Sequence, residues 1–267
     1  MGETLPYRDL IIDEVELRKF YDKLLYPLDE YEVFYTELTA SDRFLTQDER
    51  QHHQVVGVSV VERRTVSLYD WDEFRSAVRR YEAHKEAYVS GGIPIPHKAF
   101  GLFINVNPSS LLEAYRVFNE QIVEILTRLL AGDERYRHDL RGADARLLIA
   151  VANSHARKRY TDIRIDVDEP ELSCRILDFL VRKLEEFEVS YFVVKGAVGY
   201  HVLVQRESIS RNNDSVKKAN EFALEVATGT KWEVAIATNE LIPLPGTLQC
   251  GKPVRVLWDY HSGDCGF

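Results

Sequence analysis

No run in this chain approaches the roughly 20 apolar residues a membrane-crossing helix requires, and its start, Met1-Gly2-Glu3-Thr4, lacks the basic and then apolar segments of an export leader. Neither export nor membrane anchoring is indicated, so a cytoplasmic location and no membrane partner are expected. Cysteine is scarce. Cys174, Cys250 and Cys265 are scattered, and the one close Cys/His pair, His261 with Cys265, has no second pair at a zinc-site spacing. That leaves no full ligand set for a zinc module and points to free thiols. Positive charge is also in deficit: a formal net charge of −9 repels a polyanion, so any nucleic-acid role has to rest on a local basic groove.

What the chain does have is length and apolar content enough for a sizeable core, in 267 residues. In the first half, Asp13 can cap an amphipathic helix over residues 13–25 that stops near Pro27. Residues 32–38 read as a strand ending in a polar turn, and His52-His53 as a solvated loop pair. A surface helix is expected over residues 70–88, a loop over 90–97, a strand over 102–108 and a helix over 111–130 closed by Gly132. The charge-dense residues 133–144 read as a surface connection and Leu147 to Ala152 as a short buried strand.

The most informative stretch is Thr161-Asp162-Ile163-Arg164-Ile165-Asp166-Val167-Asp168-Glu169-Pro170. Apolar and polar residues alternate with period two, so Ile163, Ile165 and Val167 face a core while Asp162, Arg164, Asp166 and Asp168 share the opposite face. Carboxylates two apart on a strand repel unless a counter-charge intervenes, and a divalent cation is the usual remedy. The alternative is an edge strand with a solvated face. A basic cluster, His155 to Arg159 with Tyr160, lies directly before it; Arg157, Lys158 and Arg159 suit phosphate contacts, though such a cluster is also an ordinary loop.

From Arg164 onward the pattern is orderly. A strand to Asp168 is followed by a helix opened by Pro170 and marked by Leu172, Ile176, Leu177, Leu180, Leu184 and Phe187. Residues 189–195 and 200–205 read as strands, 213–227 as a helix and 233–237 as a fourth strand. The order β-α-β-β-α-β is that of an α+β, ferredoxin-like sheet with its helices on one face. The first and third strands are then central neighbours, and Asp166, Asp168 and His201 are expected to meet on the uncovered face.

These residues resemble the archaeo-eukaryotic primase superfamily. Its first motif, hydrophobic-Asp-hydrophobic-Asp, is matched by Ile165-Asp166-Val167-Asp168; its second, Ser-Gly-x-x-Gly-x-His before a strand, by Lys195-Gly196-Ala197-Val198-Gly199-Tyr200-His201, except at the first position. A third, Pro-Gly-Ser/Thr-Leu-His-Gly-Lys-like element is matched by Pro245-Gly246-Thr247-Leu248-Gln249-Cys250-Gly251-Lys252, with Gln249 in place of the His. The resemblance covers about residues 160–257. It implies an RRM-like catalytic module over residues 151–267 with an N-terminal α/β module over 1–150 packed on it, together one primase-polymerase domain.

It further implies a template-directed nucleotidyltransferase, a DNA primase or polymerase, that uses two Mg²⁺ or Mn²⁺ ions. Asp166 and Asp168 would hold the metals. The expected third aspartate falls near Lys231, so Glu233 takes that role and Asp259 is the weaker candidate. His201, Lys195, Gly199, Lys252 and Arg164 would bind the nucleotide, and Arg157, Lys158 and Arg159 the nucleic acid. Template DNA, primer and dNTP or NTP would be the partners, with a helicase or accessory domain of a longer parent as a further one. Two other readings stay open: a ferredoxin-like nucleic-acid-binding module without chemistry, and a two-metal phosphodiesterase. At single residues, His201 as a core histidine and Pro245-Gly246 as a plain type II turn stand beside the functional roles.

Overall fold

A computed structural model describes residues 10–25, 28–43, 45–53, 57–66, 70–82, 88–90, 92–154, 156, 158–209, 233–236 and 241–264. The first half runs α1 (Glu14–Phe20), which passes into a π-helical turn over Tyr21–Leu25, then β1 (Glu32–Ser41), α2 (Gln47–His53), β2 (Val58–Val66), α3 (Trp71–Arg79) and the short strands β3 (Val89–Ser90) and β4 (Ile93–Pro94). β5 (Phe100–Asn105), β6 (Ser109–Ser110) and the helices α4 (Leu111–Leu130), α5 (Tyr136–Arg141) and α6 (Ala143–Asn153) complete it. The second half runs β7 (Tyr160–Asp166), α7 (Pro170–Glu186), β8 (Tyr191–Lys195), β9 (Tyr200–Gln205), α8 (Arg206–Ile209), β10 (Glu233–Ile236), β11 (Leu241–Pro243), β12 (Leu248–Gln249), β13 (Lys252–Pro253) and β14 (Arg255–Leu257).

Two large antiparallel sheets organise these elements, with β3 and β4 paired apart from them as a two-stranded ribbon. The second has the order β10-β7-β9-β8-β14, so its four principal strands are arranged as the split β-α-β pattern requires, with the first and third strands adjacent. The helix expected over 213–227 lies outside the described residues. α7 starts at Pro170, whose fixed φ suits a first helical turn. It lays Ile176, Leu177, Leu180, Val181 and Leu184 on Ile163, Ile165, Val193 and Val202 of the sheet. At ~1.5–3 kcal/mol for each fully buried aliphatic side chain, this face alone accounts for much of the helix's stability.

The first sheet has the order β13-β12-β5-β1-β2, with β11 also on β5 and β6 on β1. Its composition corrects the division at residue 150. β11, β12 and β13 come from the end of the chain yet pair within the first sheet, while β14 returns to β8 of the second. One apolar cluster joins the halves: Phe20, Phe34 and Leu102 pack with Tyr160, Val194 and Leu203. The face of the second sheet expected to be uncovered is therefore largely covered by the N-terminal half.

Further differences are local. Residues 143–153 are helical where a buried strand was expected, and α5 lies within the expected surface connection. His52 and His53 end a helix, α2. Cys174, buried on α7, is disulfide-bonded and Cys250 is free, so the expectation of three free thiols fails; distance along the sequence does not limit which cysteines the fold brings together. No helix among the described residues is long and apolar enough to cross a membrane.

Candidate active site

β7 alternates as its sequence dictates. Ile163 and Ile165 are buried against α7, and Asp162, Arg164 and Asp166 lie on the other face. The strand stops at Asp166, so Asp168 sits just beyond it, with a side chain 78% exposed against 14% for Asp166. Beyond the joint cluster, a cleft of about 410 Å³ opens between the two sheets. Glu37, Thr39 and Phe103 line it from the first sheet, and Arg164, Asp166 and His201 from the second.

Arg43, two residues past the end of β1, reaches across to the acidic pair. Its guanidinium donates to Asp166 Oδ1 at 3.0 Å and also to Asp168 Oδ1. Burial opposes the charge on Arg43, but the bonds to Asp168 and Asp166 outweigh it and raise its pKa. Arg164 binds the other oxygen of Asp166 at 2.7 Å. One cation thus touches both carboxylates, the disposition a hard divalent ion would require, and the donor set, carboxylate oxygen, suits Mg²⁺ or Mn²⁺. Position 233 is paired directly with position 166 across β10 and β7, so Glu233 stands in the register a third acid would need; its side chain lies outside the description. Asp259 follows β14, three strands away from β7, and is remote from the pair. Among the described residues, no group of three or more His, Cys, Asp or Glu side chains is arranged to hold a metal ion.

His201 sits on β9 opposite Arg164. Its Nδ1 lies 2.8 Å from Oδ2 of Asp162, a residue with no exposed surface. The core-histidine alternative is thereby half met: the ring is anchored, but to a carboxylate instead of a carbonyl, and it still lines the cleft. The turn before it is shaped by Gly199, where an added Cβ would fall 1.9 Å from the carbonyl oxygen of Ile165, so no larger residue fits without moving β7 or the turn. The third element closes on this turn. Gln249 Oε1 accepts from the Ala197 amide at 2.7 Å, and Lys252 Nζ donates to the Ala197 carbonyl at 3.2 Å. Pro245-Gly246 is a tight turn: Gly246 has φ +82°, and its carbonyl accepts from Ile12 and Asp13, which docks α1.

Other expected residues are placed differently. Lys195 pairs with Tyr200, opposite Ile165, so it shares the helix-covered face, with its ammonium 5.8 Å from the Tyr200 ring and away from the cleft. Arg159 is half-buried between the halves, donating to the Leu25 carbonyl at 2.6 Å and lying 3.7 Å from Glu32. Lys158 is exposed, and Arg157 lies outside the described residues. Arg43 had no local signal, because its partners are 123 and 125 positions away. Comparison with protein-family models, with curated proteins and with solved structures finds no match to this chain.

Proposed function

We propose that the chain is a metal-dependent, template-directed nucleotidyltransferase of the primase-polymerase kind, joining nucleotides to a 3′-hydroxyl with release of pyrophosphate. The observation that carries this reading is convergence: Asp166, His201 and Gln249, each from a different motif, line one cleft. The strand order of the second sheet, with an acidic pair at the end of a central strand, supports it. Asp166 and Asp168, with Glu233 as third acid, would hold Mg²⁺ or Mn²⁺, which when bound offsets triphosphate charge and acidifies a primer hydroxyl.

The chain's own residues do the rest. Arg164 and Arg43 supply positive charge to an anionic ligand in the cleft, and His201 meets a phosphate oxygen. Gly199 allows the β8–β9 turn to lie against β7, and Lys252 and Gln249 hold that turn by the two polar groups of Ala197. Lys158 and Arg157 remain the candidates for template contacts; Arg159 serves the joint between the halves. Primer, template DNA and dNTP or NTP are the proposed partners.

A second reading, a nucleic-acid-binding module without chemistry, is favoured by one observation. Arg43 already balances both aspartates, so the pair does not require a metal to coexist. Extension of a labelled primer on a template with Mn²⁺ and all four dNTPs separates the two. Metal-dependent extension that disappears in Asp166→Ala/Asp168→Ala is expected; binding of DNA by both proteins with extension by neither would favour the module.

A further inference from the structure

The His201–Asp162 pair is more deeply built than phosphate contact alone explains. Asp162 has no exposed surface, its Oδ2 faces His201 Nδ1 at 2.8 Å, and its Oδ1 is buried with no hydrogen-bond partner among the described residues. An ionised carboxylate can only accept, so the proton between the two belongs on Nδ1. Which ring nitrogen carries a proton is set by the bond the other one makes. With Nδ1 committed to Asp162, Nε2 is the nitrogen left for the cleft that His201 lines.

We propose that Asp162 is the positioning residue of His201: it fixes the Nδ1–H form, aims Nε2 into the cleft and balances the imidazolium when Nε2–H meets an anionic phosphate oxygen. The ligand class is a nucleoside triphosphate, and this inference rests on the nucleotide-binding reading of the same cleft. Asp162 lies on β7 two residues before Arg164 and four before Asp166, on the same face and deeper between the sheets. It touches the ring and not the ligand. Its role is therefore distinct from that of the acidic pair, whose carboxylates are held by Arg43 and Arg164.

The test is ¹⁵N NMR of histidine-labelled protein, free of ligand, for the native chain, Asp162→Ala and the isosteric Asp162→Asn. The native His201 is expected to show a protonated Nδ1, and Asp162→Ala to lose that preference. A neutral native ring with its proton on Nε2 overturns the proposal, whether or not either variant folds; so does an Asp162→Ala spectrum identical to the native one. Calorimetric titration with dATP and Mg²⁺ provides the second arm. Removing Asp162 by either substitution is expected to weaken binding roughly tenfold, as loss of a charge-assisted hydrogen bond would. His201→Ala should do the same, and the double variant should lose no more than either single one. Fully additive losses would mean that Asp162 acts elsewhere. If the native chain binds no dATP, the nucleotide reading fails, and the ring spectrum still decides whether Asp162 sets His201.

Discussion

Arg43 competes for the oxygens that a divalent cation would take. Its two ion pairs are partly exposed, and such pairs contribute only ~0.2–1 kcal/mol each. Arg43→Gln should therefore tighten Mn²⁺ binding by roughly 2- to 30-fold, read by electron paramagnetic resonance of free Mn²⁺; unchanged or weaker binding would show that Arg43 does not compete. Asp166 was legible because strand alternation is a local code, whereas Asp168, expected on the same strand face, lies past the strand's end. Arg43 was not legible, since nothing near residue 43 refers to a strand so far along the chain. Asp162 lay between the two cases: alternation gave its face but not its depth, which depends on the N-terminal half closing over it. The placement of Lys195 is also contained in the sequence: parity across the β8–β9 hairpin puts it opposite Tyr200, one residue off the face of His201.

Elements with a strong period were read closely. α4 matches its expected span, and the strand 200–205 is β9. α6 differs from the strand expected at Leu147 to Ala152 because a six-residue apolar run carries no period of its own; the helix is recognisable only with Ala143 to Arg146 included. The segment after β14 is held on α7 by side chains. Ser262 donates to Glu185 at 2.9 Å, His261 Nδ1 lies 3.0 Å from the same carboxylate, and Gly263 and Tyr260 bond Asp178. Burial raises the pKa of Glu185, but the bonds from His261, Ser262 and Tyr191 prevail and depress it below the ordinary 4.5. A depressed carboxylate contributes stability above its unfolded pKa and loses it as pH falls through the folded one. Residues 258–264 should thus loosen as pH drops below 4.5, seen as a change in Trp258 fluorescence, and Glu185→Gln should flatten that titration.

At the scale of the molecule, neither half is a unit of sequence. Glu16 on α1 accepts from the Val256 amide at 2.6 Å and from Trp258 Nε1 at 2.9 Å, and the shared apolar cluster ties both sheets to one core. The division at residue 150 followed the motif-bearing stretch, and no local pattern in residues 241–253 announces pairing with β5, because edge pairing is fixed by tertiary fit. A chain ending at residue 240 should therefore lose the cooperative thermal transition of the full chain in circular dichroism and aggregate, while retention of that transition would show that β11–β13 are dispensable. The same late pairing bears on biosynthesis. β5 emerges from the ribosome long before the strands that satisfy its outer edge, so the nascent chain carries an open, apolar edge for about half of its translation, a hazard that holding chaperones commonly cover.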